Sequence, residues 1–213
     1  MVLSLSTIYW VKCLLWKAAF DERNQKPTNS FYMLEGEQLY IERAQAGDAT
    51  CFGQLYDHYA TPIYRFIAIK VGTRQEAEDL MHEVFISAWQ KLPRYEAQGY
   101  PFSSWLYKIA RNRVIDYYRT KKSHLSIDDN PVLDDEVFGV REGTEDEIDK
   151  GLDIAAVKVA MDQLTGEQRE VVRLRFLDEL SPAEIAVVLG KREGTVRIIQ
   201  HRAIQKLKTI LGD

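Results

Sequence analysis

Two stretches of this 213-residue chain concentrate positive charge. Residues 105–122, WLYKIARNRVIDYYRTKK, contain six Lys or Arg residues against Asp116 alone, and residues 191–208 contain six against Glu193 alone. Basic groups at this density neutralise nucleic-acid phosphates, and aromatic rings among them can stack on unpaired bases. Aromatic core packing beside a solvated basic surface is the alternative interpretation. The pattern indicates binding chemistry rather than bond-making chemistry.

The sequence offers no catalytic or metal site. Its cysteines, Cys13 and Cys51, form no CxxC pair and no Cys/His cluster, so neither a disulfide framework nor a zinc site is predicted. No activated nucleophile, paired carboxylate site or phosphate-binding glycine loop is recognisable. We therefore expect a protein that is not an enzyme, with no cofactor and no small-molecule substrate. Cysteine usage fits a reducing cytoplasm.

The acidic residues are as unevenly placed as the basic ones. Although the net charge is only -4, residues 128–153 contain eleven acidic residues against Arg141 and Lys150. Such a segment repels itself and buries little, which predicts a flexible linker over residues 123–152. It would tether a first helical domain, residues 36–122, to a second, residues 153–213.

The first 35 residues are apolar but do not resemble a membrane segment. Lys12 and Lys17 interrupt the apolar run, and no basic region precedes it. Neither a membrane span nor a signal peptide is predicted, and membrane contact is not expected. An amphipathic extension, or upstream sequence from a start codon chosen too early, would explain the segment, since Met33 opens an ordinary polar helix start.

Helical periodicity runs through most of the chain from Glu37 onward and predicts an all-α protein. Apolar residues at three- and four-residue steps over residues 76–92 predict a helix with one buried stripe that ends at Pro93. Ser103 or Ser104 is placed to cap the next helix, near Trp105.

The C-terminal part has the pattern of a helix-turn-helix. The stretches 165–168 and 181–184 are capping boxes, Gly190 is a left-handed stop, and a basic helix follows from about Glu193. An apolar stripe through Val196 and Ile199 leaves an outward face that could meet phosphates and base edges. That face, with the residues beside it, comprises Arg192, Thr195, Arg197, Ile198, His201, Arg202 and Gln205.

Two blocks of the sequence resemble one family. EAEDLMHEVFISAW (76–89) and FSSWLYKIARNRVIDYYR (102–119) are similar to region two of bacterial RNA polymerase sigma factors, and residues 164–207 are similar to region four. With only these two regions, the chain resembles the extracytoplasmic-function (ECF) group. The resemblance implies core RNA polymerase and promoter DNA as partners. An anti-sigma factor, a common partner in the family, would cover the two basic faces.

The resemblance also implies a role for each matched segment. The helix around residues 79–89 would dock on core polymerase through Asp79, His82, Glu83 and Gln90. The helix after it would contact the minus-ten element through Lys108, Arg111, Asn112, Arg113 and Arg119, with Tyr95 and Tyr100 as stacking rings. The outward face of the helix-turn-helix would read the minus-thirty-five element. Asp116 is expected to pair within its own helix, with Arg113 or Arg119, and the acidic linker either enters the polymerase cleft or is a solubilising spacer.

Two other interpretations of the sequence are open at this stage. A stand-alone helix-turn-helix regulator would explain the second domain and leave WLYKIARNRVIDYYR as coincidence. A helical adaptor whose basic faces meet acidic proteins would need no helix-turn-helix.

Overall fold

The computed structural model describes residues 34–97, 99–123, 157 and 159–211. Residues 124–152 of the predicted acidic linker and nearly all of the N-terminal extension lie outside the described residues, whereas Ser123 belongs to the last helix of the N-terminal unit. Within them the secondary structure is helical and contains no strand. Across the same ranges, no helix combines the length and the apolar character that crossing a membrane requires.

The N-terminal unit is a bundle of four α-helices. A 3-10 turn, Leu92–Arg94, leads into the loop before the last of them. Two starts have side-chain caps: Asp48 accepts hydrogen bonds from the amides of Thr50 and Cys51, and Thr73 forms a capping box with Glu76. The helices are α1 (Glu37–Gln45), α2 (Ala49–Ala68), α3 (Arg74–Lys91) and α4 (Phe102–Ser123).

The apolar stripe predicted on helix α3 is confirmed. All of its residues are buried against the neighbouring helices, which leaves the opposite face of α3 open to solvent. The stripe consists of Ala77, Leu80, Met81, Val84, Phe85, Ala88 and Leu92.

The predicted cap of helix α4 is wrong. The helix begins at Phe102, so Ser103 and Ser104 are buried in its first turn rather than placed before it. Phe102 is 1% exposed and packs on the rings of Tyr59 and Trp105. Burial of this ring, an interaction distant in sequence, fixes the start of the helix.

The C-terminal unit contains α5 (Gly166–Phe176), α6 (Pro182–Leu189) and α7 (Glu193–Leu211), preceded by helical residues at 159–162. Both predicted capping boxes are present, one at the start of α5 and one at the start of α6. Gly190 ends α6 with φ 65°, in the left-handed region where a side chain would add strain. Helices α6 and α7 thus form the predicted helix-turn-helix.

The two units pack against each other, although the sequence suggested separate domains on a tether. Helix α6 lies along helix α4, and apolar residues of both units share one buried cluster. Leu174, Leu180 and Ile185 of the C-terminal unit belong to it, beside Ile109 and Val114 of α4. Burial of these side chains stabilises a closed arrangement of the two units.

Candidate nucleic-acid interface

Helix α4 presents part of its predicted DNA-binding set to solvent. Lys108, Asn112 and Arg119 are exposed, whereas Arg111 and Arg113 are half-buried. Asp116 pairs with Arg119, 3.0 Å between Oδ1 and Nη2, so the predicted pairing within this helix is confirmed. The exposed members can meet phosphates without rearrangement of the chain.

Arg113 connects α4 to the helix beside it. Its Nη1 lies 3.9 Å from Oε2 of Glu83 on α3, and both side chains keep substantial exposure to solvent. An exposed ion pair of this length is weak, about 1 kcal/mol or less. The contact therefore holds Arg113 without preventing it from moving to a stronger anion.

The loop before α4 carries an aromatic cluster. Tyr95 packs on Phe102 and Trp105, with ring centroids 5.3 and 4.8 Å apart. Burial, together with the nearby carboxylate of Glu37, raises the pKa of Tyr95 to about 12. Of the two tyrosines predicted to stack on bases, Tyr95 is thus held within the fold and Tyr100 is exposed.

Beside this cluster lies a hollow of about 280 Å³. Tyr95, Tyr100, Trp105 and Lys108 line it from the N-terminal unit, and Val187 of helix α6 lines it from the other. The rings can stack on an unpaired base, and Lys108 with Arg94 can neutralise the phosphate attached to it, although Glu96 also lines the space.

Both tyrosines near the end of α4 are tied to the N-terminal unit. Tyr117 donates a hydrogen bond to Glu76 and accepts one from Lys121, and Tyr118 donates one to the carbonyl of Lys70. The Tyr117 hydroxyl, with Lys121, lowers the pKa of Glu76 to about 2. These rings position α4 and are not free to stack on a base.

An interdomain charge cluster covers the middle of α4. The guanidinium of Arg111 lies 3.4 Å from both carboxylate oxygens of Glu170 on α5, and Nζ of Lys70 lies 3.5 Å from Oε1 of the same residue. Lys70 is only 2% exposed, and burial lowers its pKa. Sequence reasoning missed Lys70 because a single lysine after an apolar helix reads as a solvated helix end.

A second polar contact joins the units nearby. The hydroxyl of Tyr107 donates a hydrogen bond of 3.0 Å to Oδ1 of Asp178, in the turn between α5 and α6. Burial raises the pKa of Asp178 to about 6, against the opposing effects of Tyr107 and Lys70. Asp178 also borders a groove of about 260 Å³ at the same junction.

The outer face of α3 contains the predicted polymerase contacts. Asp79, His82, Glu83 and Gln90 are all exposed there. Sequence reasoning missed an apolar component of this surface: Ile86, 58% exposed, with Trp89 at its edge, 36% exposed. Ile86 lies three, four and seven residues after Glu83, His82 and Asp79, a spacing that places all of them on one face of a helix. That spacing was the signal in the sequence that could have identified Ile86.

Helix α7 has the outward face that the sequence predicts. Val196, Ile199 and Ala203 are buried, and all seven predicted minus-thirty-five residues are exposed. Arg197 makes hydrogen bonds of 3.0 and 2.6 Å to Glu193, one turn earlier on the same helix. The geometry suits insertion of one helix face into a DNA groove, and contact with DNA stays a prediction.

Comparison with known proteins places these helices in one family. A model of Sigma-70 region 2 matches residues 55–124, and a model of Sigma-70, region 4 matches residues 160–209. The ECF RNA polymerase sigma factor BldN of Streptomyces coelicolor is 40% identical over 173 residues, 81% of this chain and 65% of BldN. SigL of Mycobacterium tuberculosis, also an ECF RNA polymerase sigma factor, is 31% identical over 174 residues, 81% of this chain and 96% of SigL.

A solved structure shares the fold. The sigma factor RpoE from Bartonella quintana, crystallised in complex with the anti-sigma factor NepR, superposes with a TM-score of 0.57 at 24% identity, covering 76% of this chain and 96% of that one. The fold and the two matched regions define a sigma-70-type protein. Within that class, the chain belongs to the ECF RNA polymerase sigma factors. A stand-alone regulator would leave the region 2 match unexplained.

Proposed function

We propose that this protein binds core RNA polymerase and directs it to specific promoters. The observation that carries the proposal is the presence of two basic helices, α4 and α7, one in each region that matches the sigma family. Helix α3 docks on the polymerase, α4 and the loop before it open the minus-ten element, and α7 reads the minus-thirty-five element.

Each part of the chain has its own function. Residues 36–122 hold the polymerase-docking and melting surfaces, residues 153–213 hold the helix-turn-helix, and the acidic residues 123–152 link them. Two weak DNA contacts on one chain gain strength when the polymerase holds them at the spacing of the promoter elements. Promoter binding by the free protein is therefore weak.

The polymerase, and not this chain, makes RNA. The protein needs no chemistry of its own for this role and acts in the cytoplasm, where promoter DNA and core polymerase are found. An anti-sigma factor is its third partner, because the two basic helices offer a surface that an acidic protein can cover.

The proposal is tested with purified protein and sigma-free bacterial core polymerase. We expect a stable complex by size-exclusion chromatography and, in transcription from a randomised promoter library, enrichment of a two-part sequence. A version that begins at Met33 is the matched control for the N-terminal extension. No association by either version would contradict the proposal.

A further inference from the structure

The C-terminal unit covers the helix assigned to promoter opening. Helix α6 packs along α4, and Val187 closes one side of the aromatic hollow beside Trp105 and Lys108. The side chain of Arg111 is only 21% exposed. A nucleic-acid strand cannot reach Arg111, or the whole of the hollow, while the units lie together.

At the junction of the two units, two cations surround one anion, as they would surround a DNA phosphate. The carboxylate of Glu170 lies between Arg111 and Lys70, with both oxygens of the carboxylate within 3.4 Å of the Arg111 guanidinium. Carboxylates and phosphates accept the same charge-assisted hydrogen bonds from arginine. Separation of the units would leave two adjacent cations without their anion.

An aromatic group lies within the same buried patch. Tyr107 packs edge-on against Phe66 and gives its hydroxyl proton to Asp178 of the other unit. When the units separate, Tyr107 and Lys70 both lose contacts from the C-terminal unit. The newly exposed surface combines cations with an aromatic ring, as single-strand binding surfaces do.

We propose that the C-terminal unit inhibits helix α4 from within the chain, with Glu170 in the place of a DNA phosphate between Lys70 and Arg111, and that opening exposes Lys70 as a further phosphate-binding residue. The inference deepens the proposed function, because it assumes that α4 binds nucleic acid.

Glu170→Gln in the full chain tests the inhibition. It keeps the side-chain shape and removes the charge that holds the two cations. The matched control is Glu167→Gln on the same helix, since Glu167 pairs with Lys191 inside the C-terminal unit. Small-angle X-ray scattering reports opening, and fluorescence anisotropy reports affinity for a labelled single-stranded oligonucleotide.

For Glu170→Gln we expect a larger radius of gyration and an affinity higher by about fivefold or more, because a larger fraction of the molecules is competent to bind. Glu167→Gln should match the unmodified chain in both measurements. Adding Lys70→Gln to Glu170→Gln should lower the affinity again and reduce the salt slope by about one. Unchanged scattering and affinity for Glu170→Gln, or no effect of Lys70→Gln in that background, would overturn the proposal.

Two further measurements keep the result interpretable. If circular dichroism shows that Glu170→Gln is unfolded, Tyr107→Phe is the alternative variant, because it loosens the same interface without changing the charge cluster. It should open the chain to a smaller extent. Scattering needs no nucleic acid, so opening without polymerase-dependent transcription would count against the proposed function alone. Transcription that persists with no change in scattering would count against the inhibition alone.

Discussion

The basic segments 105–122 and 191–208, which form most of α4 and of α7 with the turn before it, have the same excess of basic residues but differ in what faces them. The predicted contacts on α7 are all exposed, and the ion pair of Arg197 is with Glu193 of its own helix. On α4, Arg111 is held by Glu170 of the other unit and Arg113 by Glu83 of α3. Equal charge in a sequence therefore does not mean equal availability: every predicted contact on the C-terminal helix can meet DNA at once, whereas Arg111 on α4 must first be released from Glu170.

The largest effect should come from the covered helix. Replacing Arg111 and Arg113 together by alanine should lower promoter opening about 100-fold, because two cations at about 1–3 kcal/mol each are removed from the strand-binding surface. Binding to core polymerase should be unchanged. Permanganate reactivity of promoter thymines and a core-binding assay measure the two quantities. Normal opening by the double variant would show that α4 does not bind the open strand.

No described residue packs over the outer face of α3, so this face is available to a partner protein and allows a second test of the comparison. Ile86→Asp should weaken core polymerase binding about 30-fold, corresponding to roughly 2 kcal/mol for an isoleucine that is buried in a complex. Leu39→Asp is the matched control, because Leu39 on α1 is equally exposed, at 58% for each residue. Equal losses from both variants would remove α3 as the specific docking surface.

The packing of the C-terminal unit on α4 should depend on pH through Asp178. Its pKa is about 6 in the closed form, whereas an exposed aspartate has a pKa of about 3.9. The closed form therefore takes up a proton as the pH falls through 6, so acid favours closure, and this advantage is lost as the pH rises above 6. Between pH 7.5 and pH 5 the ratio of closed to open chain should rise about tenfold by linkage.

Scattering at both pH values measures this ratio. The groups that face Asp178 are Arg65, Lys70, Tyr107 and Arg173. Asp178→Asn should make the ratio nearly independent of pH over this range. A tenfold change that persists in Asp178→Asn would assign the titration to another group.

The smallest expected effect concerns the open helix. Arg197→Ala should weaken binding to a promoter with an intact minus-thirty-five element about fivefold, since one cation that meets DNA is worth roughly 1 kcal/mol. Lys208→Ala, on the same helix but outside the predicted face, is the control. Footprints of the holoenzyme on promoter DNA give both values, and equal losses would contradict the assignment of this face.

Local signals in the sequence predicted local structure well. The capping boxes at Thr165 and Ser181, the left-handed Gly190 and the buried stripe of α3 depend on residues within a few positions of one another, and all are present. The outward face of α7 follows in the same way from its apolar spacing. Such features can be read from sequence because neighbouring residues determine them.

Features that depend on distant residues were missed. Ser103 and Ser104 have the composition of a cap, but burial of Phe102 against Tyr59 begins the helix earlier. The Lys70–Glu170 pair joins positions that are 100 residues apart, and no periodicity marks it. The apolar contact between α4 and α6 was equally hidden, because each stripe also serves the core of its own unit.

The ion pair between Glu83 and Arg113 has a consequence for the order of assembly. Glu83 belongs to the proposed docking surface and Arg113 to the proposed strand-binding surface, so one weak contact joins two tasks. A polymerase cation that engages Glu83 would compete with Arg113 and free its guanidinium for the promoter. Docking and melting would then be coupled at this position: polymerase bound at Glu83 would make Arg113 more available to promoter DNA.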